Sequence, residues 1–130
     1  MKTAKDRKDT PIFSGVLKYF PLALQAVAQC SKVGNDQHNP DSDLFWDRSK
    51  SGDELDALTR HLLDAGTLDT DGIRHSAKVA WRALANLQKE MELEKAIGYE
   101  DKTLGHPNDE FFTGTSTHSW KEVYKTQCDL

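Results

Sequence analysis

Between residues 60 and 86 the chain reads RHLLDAGTLDTDGIRHSAKVAWRALAN, which sets His61, His75, Asp64, Asp69, Asp71, Lys78 and Arg82 around one short turn. Carboxylates and imidazoles hold divalent cations, and Lys and Arg neutralise phosphate oxygens, so this inventory points to chemistry on a phosphorylated ligand with a metal. At helical spacing Asp71, His75, Lys78 and Arg82 stand at i, i+4, i+7 and i+11, along one line of a helix and opposite its expected apolar stripe. Glu54 and His61 from the preceding segment add donors. Mg²⁺ and Mn²⁺ prefer carboxylate oxygen, whereas Mn²⁺ and Co²⁺ also accept imidazole. The competing expectation is a solvated outer face, because an amphipathic helix needs charge there whether or not it binds anything. On that view His61 is a hydrogen-bonded structural residue and Asp69 a helix cap. No GxxxxGK[ST] loop, GxGxxG turn, HExxH or CxxC is present.

Three helices are expected to position these groups. After Pro21, LALQAVAQCSKV has helix-forming composition and is expected to stop at Gly34. Residues 34–52 are turn chemistry and read as a long loop pinned by Trp46. Ser51 with Glu54 three residues later predicts a capping box, followed by a helix running to Gly66. Its stripe is Leu55, Leu58 and Leu62, and Asp56 with Arg60 forms an expected i, i+4 ion pair. The third helix is expected from about Gly72 to Gly98, with Ile73, Ala77, Ala80, Trp81, Leu84, Leu87 and Met91 as its core stripe.

The chain as a whole bounds the reading. Its 130 residues suit a single helical domain, with residues 1–19 as an N-terminal arm, 20–98 as the core and 99–130 as a polar tail carrying Phe111, Phe112, Trp120 and Tyr124. The patch IFSGVLKYF in the arm is compatible with a strand or a docked segment, and a last short helix near 118–126 fits the tail. A mean hydropathy of −0.69 is lean for a self-sufficient monomer, so a homo-oligomer is expected. The net charge of −4 gives no footprint for duplex nucleic acid. Cys30 and Cys128 form no disulfide framework or zinc knuckle, and no run reaches membrane-spanning length, so a cytoplasmic protein without a membrane partner is expected.

From residue 21 to about 90 the order of features resembles the phage and bacterial dATP/dGTP diphosphohydrolases, small MazG-like all-helical nucleotide pyrophosphohydrolases. The pieces that carry the resemblance are PLALQAVAQCSKVG, Trp46, RHLLDAG, LDTDGIRH and AWRALANL, about half the chain. It implies an all-α MazG-like bundle, assembled as a dimer or tetramer, that hydrolyses purine deoxynucleoside triphosphates (dGTP or dATP) to monophosphate and pyrophosphate. In phages that chemistry serves nucleotide-pool control, including supply for 2-aminoadenine DNA, in the host cytoplasm. The implied cofactor is a divalent metal, Mg²⁺, Mn²⁺ or Co²⁺. Carried onto this chain, the metal set is Glu54, His61, Asp64, Asp69 and Asp71, with His61 and Asp71 at the chemistry. Arg60, His75, Lys78 and Arg82 then contact substrate, and Trp46 stacks on or walls the base. Gln25 and Ala26 stand where the family usually has glutamates, which keeps a second reading open: a helical nucleotide- or protein-binding module without turnover.

Overall fold

The computed structural model describes residues 3–97, and their regular elements are helical, apart from one isolated bridge between Leu68 and Arg74. The all-α class is therefore as expected. Helix α1 (Ala4–Lys8) starts in a capping box, with Thr3 and Asp6 each accepting from the other's backbone N–H. The apolar patch is neither strand nor buried arm: Phe13–Leu17 form a π-helical turn, and Ile12, Phe13, Tyr19 and Phe20 are exposed. Three long helices follow: α2 (Pro21–His38), α3 (Glu54–Leu63) and α4 (His75–Ala96). Among the described residues no single helix is long and apolar enough to cross a membrane. The tail 99–130, with its aromatics and expected short helix, lies outside the described residues.

Pro21 opens α2 at a position where its missing N–H would have no partner in any case. The helix does not stop at Gly34 but continues one turn to His38. The glycine is tolerated inside, and the turn it precedes carries Asn35, which is buried and whose Oδ1 accepts from Phe45 N–H at 3.1 Å. That bond fastens the loop 39–53 back onto α2, so extending the helix satisfies a buried amide.

Helix α3 also departs from expectation at both ends. Asp53 is its N-cap, and Ser51 donates its hydroxyl to the Glu54 carboxylate instead of capping the backbone. The helix closes at Leu63, and Gly66 turns the chain with φ +92°. Arg60 pairs with Asp53 at 2.7 Å, not with Asp56.

The larger correction concerns faces. Leu55 and Leu62 are exposed, and the side of α3 turned inward carries Glu54, Ala57, Leu58 and His61. On α4, which begins at His75 rather than Gly72, Ala77 and Ala85 are buried while Leu84, Leu87 and Met91 are exposed. Lys78, Arg82 and Lys89 share the inner face with Ala85, so the polar line is not the solvated side. The expected stripe of α4 is inward in its first half, where Ala77 is buried and Trp81 packs on Trp46, while ion pairs between helices bring the polar line in beside it.

Candidate functional site

The turn joining α3 to α4 is built by its own polar residues. Gly72, at φ +79°, lets its N–H reach the Asp69 carbonyl at 2.9 Å, and Asp71 Oδ1 accepts from Ile73 N–H at 3.0 Å. His75 N–H reaches the Thr67 carbonyl at 3.0 Å and pins the start of α4. With the backbone held this way, Asp69 and Asp71 both meet the first turn of α4. Lys78 Nζ lies 2.6 Å from Asp69 Oδ2 and 2.7 Å from Asp71 Oδ2 and is only 17% exposed. Gln37 Nε2 on α2 reaches Asp71 at 3.4 Å, tying the third helix to the same carboxylate.

His61 in the last turn of α3 faces His75 at the start of α4, Nδ1 to Nδ1 at 2.9 Å, with ring planes at 37°. Two N–H groups cannot point at each other at that distance, so one Nδ1 donates and the other accepts, with the roles set by the tautomers. His61, Asp69 and His75 offer one ligand atom each, all within 4.8 Å of one another.

The charges act on one another. The Lys78 hydrogen bond, joined by Thr70 N–H, brings the Asp69 carboxyl down to about 2. Lys78 likewise lowers Asp71. Burial opposes charge on Lys78, but the hydrogen bonds it donates to the two carboxylates, with their charge, outweigh it and its pKa is raised. His61 is lowered by burial first, then by the charge of Lys78 and by His75, against the pull of Asp69.

A cavity of about 330 Å³ opens beside this turn, between α2, the loop and α4. Its polar wall includes His61, Asp71, Lys78 and Arg82, and its aromatic wall is Phe45, Trp46 and Trp81. Trp46 packs edge-on against Trp81, centroids 5.7 Å apart, and the Arg48 guanidinium sits 4.0 Å over its ring. Arg48 itself is tied to Glu92 on α4 at 2.7 Å. With one face covered, Trp46 bounds the cavity, while Phe45 is open to a ligand. Cys30 also lines the cavity, and burial raises its thiol pKa, which disfavours the thiolate.

No family model, curated protein or solved structure matches the chain.

Of the residues singled out from sequence, His61, Asp69, Asp71, His75 and Lys78 come together at the turn; His61, Asp71, Lys78, Arg82 and Trp46 line the cavity, whereas Asp69 and His75 stand beside it. Glu54 does not join the imidazoles. It is 6% exposed, its Oε2 is 3.2 Å from Lys89 Nζ and its Oε1 3.9 Å from Arg82, and Lys89 also donates to the Ser51 carbonyl. Asp64 is the exposed C-cap of α3, and Arg60 is occupied with Asp53 on the outer side; neither lines the cavity. Sequence reasoning missed Phe45, Gln37, Asn35 and Lys89. Lys89 continues the line of Lys78 and Arg82 by one further i+7 step, a signal that was readable; the three others depend on where the loop folds back.

Proposed function

We propose that the chain is a metal-dependent pyrophosphohydrolase of purine deoxynucleoside triphosphates, dGTP or dATP, yielding monophosphate and pyrophosphate, as the family resemblance implies. The observation that supports it is the inward polar line: Lys78 and Arg82 share one cavity with Phe45 and Trp46, cations for phosphates beside an apolar wall for a base. In this reading Arg82 and Lys78 take phosphate oxygens, Asp71 keeps the Lys78 ammonium in place, and Phe45 and Trp46 orient the base. His61 and Asp69 are the donors whose chemistry fits the divalent ion, Mg²⁺, Mn²⁺ or Co²⁺, that the resemblance implies. Such an ion supplies, when bound, Lewis-acid stabilisation of charge on the phosphate oxygens and a more acidic water. The test is incubation with dGTP, dATP and the other common triphosphates in each of these ions. Equal release of pyrophosphate and monophosphate is expected; no release from any pair overturns the enzyme.

One observation favours a second reading, a nucleotide-binding module without turnover: Lys78 already engages Asp69 and Asp71, the carboxylates of the turn. A thermal shift with dGTP and no product would decide for it.

A cytoplasmic homo-oligomer, dimer or tetramer, belongs to the same proposal. Among the described residues the only buried apolar side chains are Ala57, Ala77 and Ala85, too small a core for three helices. Leu24, Val27, Leu84, Leu87 and Met91 line an open groove of about 690 Å³ that a second copy would fill. Light scattering should give a multiple of the chain mass of 14.6 kDa; a monomer at all concentrations removes the oligomer.

A further inference from the structure

We propose that His75 joins His61 and Asp69 as the third ligand of a site that takes a borderline first-row transition ion, of the Mn²⁺, Co²⁺ or Zn²⁺ kind, in preference to Mg²⁺. The inference rests on the α3–α4 turn beside the cavity being the working site, with His61 the ligand that also lines the cavity, and not on any reaction there. Its first support is spacing. Two imidazole nitrogens at about 2.0–2.1 Å from one ion, subtending roughly 90–110°, stand about 2.9–3.4 Å apart. His61 and His75 hold their Nδ1 atoms 2.9 Å apart. The pair is thus already set at the separation of neighbouring ligands, and an Asp69 oxygen lies within 4.8 Å of one ring nitrogen of each histidine.

The second support is donor chemistry. Mg²⁺ demands oxygen and keeps its waters, whereas two imidazoles and one carboxylate form the set that transition ions accept, leaving open positions for water or a ligand. Positioning comes from separate elements: His61 from the end of α3, His75 from the start of α4 and Asp69 from the turn between them. An ion there would cross-link the two helices at their junction.

Lys78 is the internal competitor. Its ammonium holds Asp69 at 2.6 Å, and it retains Asp71 at 2.7 Å when Asp69 turns to an ion. Asp71 therefore cancels the charge that would otherwise repel the metal.

The full chain, freed of metal, is titrated with Co²⁺ and followed by calorimetry and by visible absorption. One ion per chain is expected, with nitrogen-ligated absorption that a large excess of Mg²⁺ does not displace. His75→Ala and His61→Ala, checked for helical content by circular dichroism, should each weaken Co²⁺ by more than about tenfold, the least that even an outer-shell partner is worth. Lys78→Met should tighten Co²⁺ by roughly two- to fivefold, the worth of a partly exposed ion pair that no longer competes. Unchanged affinity in both histidine variants, or displacement by Mg²⁺, overturns the site. If the histidine variants lose their helices, Lys78→Met decides alone, and unchanged or weaker binding overturns the site. Pyrophosphate release with Mg²⁺ and no Co²⁺ site would remove this inference and spare the hydrolase. A Co²⁺ site without release in any ion would do the reverse.

Discussion

Glu54→Ala separates a metal ligand from a structural acid. The carboxylate is 6% exposed and is held by Lys89, Arg82 and the Ser51 hydroxyl. Removing one partner of a fully buried ion pair costs about 3–5 kcal/mol, chiefly because the other charge is left without compensation. Here the stranded cations keep 20% (Lys89) and 27% (Arg82) exposure and can recruit water. Discounted for that access, the cost is about 2 kcal/mol. For a chain of this size each kcal/mol lowers Tm by about 4 °C, so the drop should be about 8 °C. Lys89→Met should cost only about 1 kcal/mol, because Arg82 and Ser51 still hold Glu54. Far-UV circular dichroism melts near neutral pH read both. Co²⁺ affinity of Glu54→Gln, which preserves shape and the Ser51 contact, should equal that of the parent chain. A Glu54→Ala protein that melts normally but loses its metal would refute the reasoning and make Glu54 a ligand.

Three further outcomes follow from the geometry. Gly34→Ala should raise stability by about 0.5–1 kcal/mol, since the position is helical and open, while Gly66→Ala, at φ +92°, should lower it by about 1 kcal/mol; urea midpoints measure both. Because His61 is lowered in the folded chain, the unfolded chain takes the proton first on acidification, so stability should fall as pH drops below about 6.5, and His61→Gln should flatten that limb of a urea-midpoint profile. Asp69 is also lowered, so its contribution is present above the ordinary carboxylate range and lost as pH falls through about 2; Asp69→Asn should erase that second acid limb.

The existence and order of the three long helices were legible because Pro21, Gly66 and the Asp-rich turn punctuate the chain, and the 3.6-residue period is long in α4. The meeting of Asp69, Asp71, His75 and Lys78 was legible too, since all lie within ten residues of one another. Orientation was not. Leu55, Leu62, Leu84 and Met91 have the spacing of a core stripe, yet they stay about half exposed, while the cross-helix pairs of Glu54 with Arg82 and Lys89 bring the polar sides together. Such pairs span 28 and 35 residues and leave no local periodic trace. Gly34 misled for a related reason: a glycine reads as a stop until a buried amide such as Asn35, bonded ten residues on, gives the next turn something to hold.

Charge balance inside the bundle constrains what the cavity accepts. Glu54, Asp69 and Asp71 face Lys78, Arg82 and Lys89, carboxylates and cations in equal number. Among the described residues, each Lys or Arg that lines the cavity already faces a carboxylate: Lys50 is 3.7 Å from Asp47, Lys78 meets Asp69 and Asp71, and Arg82 lies near Glu54. A triphosphate brings several negative charges into this neutral setting and finds no spare cation. Binding therefore needs either the loss of existing ion pairs or the entry of a divalent ion with the nucleotide, and the second costs less because it leaves Glu54 and Asp71 engaged. The expected outcome is conditional affinity: dGTP alone should shift the melting temperature little, whereas dGTP with Mn²⁺ or Co²⁺ at about a hundred times Kd should stabilise by about 2.7 kcal/mol, more than Glu54→Ala removes. Equal shifts with and without the ion would mean that Lys78 and Arg82 release their carboxylates readily, and the interior pairs would then be incidental to the site.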